Sequence, residues 1–256
     1  MNRNERRKQL ADRMLPQLAF NPLRHFDACE VCLGSRDWAS SPVCNSCRGL
    51  QASAGDERLA DLVVPLSYAG EVTPQLRHDI RHYKDGHPPD SRAEALQRLS
   101  ALSWHFFHVH GSCLDSSGLA VTHYLTVPSG TPGRRTGEHP LEALARFVPP
   151  HWELVPLLRI EQGAGRRLDT ESLSIPEGHD ITGRHVVVFD DTWTTGANAQ
   201  SAALAARRAG ATQVTVVVVA RIMRSDWGPT AAFLEAHPKT PWSGAICPVT
   251  GANCPA

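Results

Sequence analysis

The stretch "VVVFDDTWTTGANAQ", residues 186–200, decides the fold. Val186 to Phe189 are apolar and run straight into Asp190 and Asp191. A polar turn with Thr192, Thr194 and Thr195 follows, then Gly196 and an alanine-rich segment. A continuous apolar run suits a strand buried on both faces of a parallel sheet. Ligands of open parallel sheets bind beyond the carboxyl ends of the strands, and the aspartates stand at such an end. Carboxylates accept hydrogen bonds in pairs, so a vicinal diol is a natural partner. A helix expected from about Ala197 offers unpaired amides and the positive end of its dipole to a phosphate. Thr194, Thr195 and Asn198 add side-chain donors, and Gly196 lets backbone approach an anion closely. Diol carboxylates beside a phosphate cradle describe a ribose 5-phosphate site. An acid pair that merely caps a helix is the simpler alternative, but it leaves the order of strand, acids and Thr-Thr-Gly unexplained.

Outward from this stretch, apolar strand patterns alternate with helical ones. Strands are expected at 61–69 ("DLVVPLSYA"), 119–127 ("LAVTHYLTV"), 152–158 ("WELVPLL"), 185–191 and 213–222. Helices are expected over "TPQLRHDIRHYKDG", over 91–109, around "EHPLEALARF" and over "ANAQSAALAARRAG", which Gly210 closes. A short amphipathic helix, "ERRKQLADRMLPQLAF", is expected to break at Pro16. The alternation indicates an α/β domain with a largely parallel sheet. Residues 160–183 are polar and without period, long enough for a lid that brings Arg159, Arg166 and Arg167 to a phosphate, or for a surface loop. The tail after Met223 carries no legible element.

Hydrophobic residues are 41% and charged residues 20% of the 256, a composition able to bury a core. The formal net charge of zero excludes a nucleic-acid binder held by bulk charge, though not a local basic surface. No apolar run reaches the ~20 residues of a membrane span, and the charged N-terminus precedes no signal-peptide core. A cytoplasmic protein is expected, with cysteines as thiols or metal ligands.

Cys29, Cys32, Cys44 and Cys47 are spaced C-x2-C-x11-C-x2-C. Two such knuckles can place four thiolates around Zn²⁺, a closed and therefore structural site. Cys247 and Cys254, in "CPVTGANC", can pair or ligate, but with Cys113 they read more simply as ordinary cysteines. The thirteen histidines, His110 among them, show no carboxylate partner at the spacing of hydrolytic metal sites and read as surface or half-buried side chains.

The 186–198 segment resembles the 5-phosphoribosyl 1-pyrophosphate (PRPP) motif of type I phosphoribosyltransferases. By that resemblance Asp190 and Asp191 hold the ribose hydroxyls and act in catalysis. Residues 194–198, with Thr192, hold the 5-phosphate. Trp193 and Asn198 depart from the motif, the latter replacing its final threonine. Thr194 stands where purine-salvage members carry an aspartate, which argues against a hypoxanthine- or guanine-type acceptor. A zinc ribbon before such a domain resembles the ComF-like family, associated with bacterial competence. "SYAGEVTPQLRHDIRHYKDG" and "VPSGTPGRRTGEHPLEALA" resemble that family's lysine segment and pyrophosphate loop. They point to Lys84, Ser129, Gly130, Arg134 and Arg135 as leaving-group contacts. The implied organisation is an N-terminal segment over 1–27, a zinc ribbon over 28–55, a phosphoribosyltransferase domain over 56–225 with an open, mainly parallel sheet and a hood, and a tail over 226–256. The resemblance further implies Mg²⁺ with PRPP, structural Zn²⁺, an unidentified nitrogenous acceptor and a possible homodimer. Its alternatives are a non-catalytic PRPP sensor and a DNA-uptake role in which ribbon and basic N-terminus meet single-stranded DNA or DNA-uptake proteins.

Overall fold

The computed structural model describes residues 2–255 apart from 23, 25, 26, 38–40, 85, 129–139, 161–166, 170 and 237–240. Helices α1 (Arg3–Leu18) and α2 (Asn45–Ala54) come first, then β1 (Leu62–Pro65), β2 (Tyr68–Gly70), α3 (Pro74–His82) and α4 (Pro89–His105). A π turn (Phe106–His110) and a 3-10 turn (Gly111–Ser117) extend α4. There follow β3 (Val121–Thr126), α5 (Glu142–Ala145), β4 (Glu153–Leu154), β5 (Leu158–Arg159), β6 (Leu173–Ser174), β7 (His185–Trp193), α6 (Ala197–Arg208), β8 (Gln213–Met223) and α7 (Thr230–Ala236).

The main sheet has the order β1-β8-β7-β3-β4, with β2 also on β8, and every pairing in it is parallel. An antiparallel hairpin, β5–β6, stands apart from it. This is the expected open parallel sheet flanked by helices, with a small separate hairpin. The sheet's side-chain alternation sorts the apolar residues into two cores. Val187, Phe189, Val217 and Val219 face a core shared with α1, α3, α4 and the tail residues Trp242, Cys247 and Val249. Val186, Val188, Val214, Val216 and Val218 face a core shared with the alanines of α6 and with Cys29, Cys32, Cys44 and Cys47. The alanines let α6 lie close against the valines, since no longer side chain holds helix and sheet apart.

Four expectations change. The strand at 61–69 is two strands, because Pro65 gives no ladder donor and Ser67 turns to residue 20, its hydroxyl accepting from the Phe20 amide at 3.0 Å. The strand at 152–158 shortens to β4, and its last residue joins the hairpin instead. Helix α1 runs through Pro16, its start closed by a capping box between Asn2 and Glu5. Burial of Ala11, Leu15 and Leu18 offsets the bond that proline deletes. The tail is packed: it forms α7, pairs Phe20 with Pro241 and buries Trp242 and Cys247. Among the described residues no helix is long and apolar enough to cross a membrane.

Candidate functional site

Strand β7 carries Asp190 and Asp191 to its buried C-terminal end, 9% and 7% exposed. Asp191 is held by a ring of donors. The Tyr83 hydroxyl donates to its Oδ2 at 2.6 Å, the Lys84 ammonium pairs with the same oxygen, and the Thr192 hydroxyl donates to Oδ1 at 2.9 Å. Asp190 Oδ1 accepts the Asp191 amide at 2.8 Å. The neighbours therefore differ in state. Burial and the charge of Asp191 push the Asp190 carboxyl well above the ordinary carboxylate range. Burial works against ionisation of Asp191 too, but Lys84, Tyr83 and Thr192 outweigh it and hold that group below its usual value. Asp190 favours its proton and Asp191 its charge.

Tyr83 and Lys84 come from the end of α3, where the Tyr83 amide closes the last turn on Asp79. Buried Asp79 takes a two-pronged bond from Arg98 at 2.8 and 2.9 Å, which ties α3 to α4 and fixes the approach to the acids. Lys84, expected with the pyrophosphate loop, thus lies on Asp191. Ser129, Gly130, Arg134 and Arg135 fall outside the described residues, as does Arg166. Arg159 sits in β5 and donates to the Pro128 carbonyl at 3.3 Å, joining the hairpin to the start of that loop. Arg167 is exposed.

Beyond the acids the chain turns at Gly196, with φ 90°, and enters α6 at Ala197. No side chain caps this helix start, and the Thr195 hydroxyl reaches the Ala197 amide only at 3.4 Å. Its first-turn amides stay open to an anion. Thr194 and Thr195 are half-buried and Asn198 is exposed at the rim. Trp193 points the other way, fully buried beneath the turn. A Cβ at residue 196 would lie 2.1 Å from its ring, so glycine is required there by space as well as by φ.

The underside of the same turn meets the cysteine knuckles. Leu33, with φ 56°, and a bridge between Ala28 and Ser35 close the first knuckle, and Cys44 starts α2 in the second. All four sulfurs are buried and lie within 4.8 Å of one another. The Sγ atoms of Cys32 and Cys44 are 3.8 Å apart, the edge of a tetrahedron with Zn–S bonds of about 2.3 Å. The set fits Zn²⁺ in number, chemistry and spacing. Bonds from Cys29, Cys44 and Cys47, with the charge of Arg221, hold the Cys32 thiol well below the ordinary cysteine value despite burial.

Arg221, on β8 opposite Trp193, is the site residue that motif reading missed. It is 4% exposed. Its guanidinium donates to the carbonyls of Trp193 at 3.2 Å, Thr194 at 3.1 Å and Ile222 at 2.6 Å, and its charge acts on the nearby Cys32 thiol. One buried cation thus stands between the cysteines and the backbone of the loop. A lone arginine ending an apolar run, "VTVVVVAR", was the only sequence signal.

No family model matches the chain, and no curated protein does. Among solved structures it is similar to a hypoxanthine phosphoribosyltransferase from Staphylococcus aureus, at 12% identity over 46% of this chain and 63% of that one, with a TM-score of 0.30. It is also similar to an alanine mutant from an analysis of an invariant aspartic acid in HPRTs, at 16% identity over 49% of this chain and 78% of that one, with a TM-score of 0.32. The chain thus spans less than two thirds of the Staphylococcus aureus enzyme. Superpositions this loose carry no argument, and the fold stands on the strand order and register above.

Proposed function

We propose that the chain binds PRPP and transfers its phosphoribosyl group to a nitrogenous acceptor, releasing pyrophosphate. The observation that carries this reading is the buried acid pair at the end of β7, set directly before an uncapped helix start. Asp191 accepts from one ribose hydroxyl, Asp190 with its proton meets the other, and the amides of residues 195–198 take the 5-phosphate. In such a displacement the bond from C1 to pyrophosphate breaks ahead of the new C1–N bond. Positive charge grows on the sugar ring and negative charge on the leaving group. Asp191 would offset the first. Lys84, a third exposed on a flexible stem, would exchange Asp191 for the leaving anion, with Ser129, Gly130, Arg134 and Arg135 as its companions in this proposal. The ionised oxygens of Asp191 suit Mg²⁺, which when bound with PRPP would spread the charge of the departing pyrophosphate.

The acceptor is a small nitrogenous base or amine other than those whose recognition needs an acid at residue 194. Pyrophosphate release from PRPP, measured across a panel of such acceptors, tests the reading. Release should require PRPP and one class of acceptor and should vanish in the Asp190→Asn, Asp191→Asn double variant. Magnesium-dependent PRPP binding with no release under any acceptor would replace transfer with a sensor function.

A further inference from the structure

A second cluster of metal-ligand side chains lies far from the knuckles in sequence. The ligand atoms of His110, Cys113, Cys247 and Cys254 all fall within 4.8 Å of one another. His110 and Cys247 are 1% and 0% exposed. We propose that these four residues hold a second zinc ion, a closed structural site that ties the C-terminal tail to the end of α4.

Local geometry builds each half of the site. His110 ends the π turn and caps the 3-10 turn that follows. In a 3-10 turn residues three apart eclipse, so His110 and Cys113 project to the same side. In the tail, the Gly251 amide donates to the Cys247 carbonyl and the Cys247 amide to the Ala252 carbonyl, both at 2.7 Å. Gly251, with φ 75°, makes that tight return and brings Cys254 back beside Cys247. The halves are aligned by the Trp242 amide on the Ala19 carbonyl at 3.0 Å and by Trp242 set edge-on to His105 at 4.6 Å.

The histidine is oriented as a ligand. Its Nδ1 faces the Cys254 sulfur at 3.2 Å, near the ~3.5 Å edge expected between N and S ligands of one tetrahedral zinc. Its Nε2 faces the Gly244 carbonyl at 3.2 Å. A proton on Nε2 donated to that carbonyl leaves the Nδ1 lone pair for the metal, the usual outer support of a ligating histidine. Three sulfurs and one imidazole nitrogen make a complete zinc set with no vacant position. A disulfide would use only two of the three thiols and would not account for His110 turned toward Cys254.

Metal analysis of the full-length protein from zinc-supplemented cells is the test. The wild type should carry about two zinc equivalents per chain. Cys254→Ser alters an exposed residue and should keep the native circular dichroism and the knuckle zinc while losing one equivalent. His110→Ala should lose the same equivalent. Cobalt loaded in place of zinc should give thiolate charge-transfer absorption that falls in Cys254→Ser but survives. The proposal is overturned if the wild type carries one equivalent, if Cys254→Ser still carries two, or if intact mass of the unreduced protein shows Cys247 in a disulfide.

Discussion

The loop that ends β7 and the cysteine knuckles of residues 29–47 meet the same arginine from opposite sides, and they are stabilised in opposite ways. The loop leaves groups open to a ligand: an uncapped helix start and a buried Asp190 whose carboxyl is pushed toward its neutral form. The knuckles gather four buried sulfurs at the spacing of one metal ion's ligands. A site that waits for ligand needs a rigid support, and Arg221 supplies it by holding the loop carbonyls beside the cysteines. The knuckles are thus the floor under the turn to which we assign the phosphate.

The largest effect should come from removing that floor. Cys32→Ser breaks the proposed zinc set and changes the surroundings of Arg221. Denaturant unfolding should show a loss above about 5 kcal/mol, a fraction of what structural zinc supplies, and PRPP binding should fall with it. Retained binding would mean the two regions are independent. Arg221→Met keeps the volume but strands the carbonyls of Trp193 and Thr194. A cost of about 3–5 kcal/mol is expected, with the knuckle zinc still present by metal analysis. Gly196→Ala acts on the loop alone. Positive φ and collision with the Trp193 ring together should cost about 2–4 kcal/mol, and calorimetric PRPP affinity should drop while zinc content stays.

The smallest effects separate the two acids. Asp191 has a depressed folded pKa, so it adds stability that is present above its unfolded value and lost as pH falls through the folded one. Asp191→Asn should cost about 1–2 kcal/mol near pH 7, discounted for the partial exposure of Lys84, and should flatten the acid limb of stability against pH. Asp190 has a raised folded pKa, so its contribution is present below the unfolded value and lost as pH rises through the folded one. Asp190→Asn should therefore stabilise the protein above neutral pH while removing PRPP binding. Urea titrations across pH check both signs.

Much of this was legible because it is local. The apolar runs of β7 and β8, the acids that end β7, the Thr-Thr-Gly turn and the two C-x2-C pairs each lie within a short stretch, where period and spacing carry the signal. What escaped is what the fold assembles from a distance. Tyr83 meets Asp191 across 108 positions. Arg221 reaches Trp193 across 28, from a strand whose pattern is simply apolar. His110 meets Cys254 across 144 positions, so neither half of that cluster shows a complete ligand spacing. Pro16 follows a related rule: propensity marks a break there, and burial of Leu15 and Leu18 overrides it.

The central claim is that Asp190 and Asp191 grip the sugar while the start of α6 takes its phosphate. Isothermal calorimetry of the zinc-loaded protein with PRPP, with and without Mg²⁺, tests it most directly. The account predicts magnesium-dependent binding in the wild type that the Asp190→Asn, Asp191→Asn double variant loses while remaining folded. Binding that persists in the folded double variant, or no binding by the wild type, would contradict it.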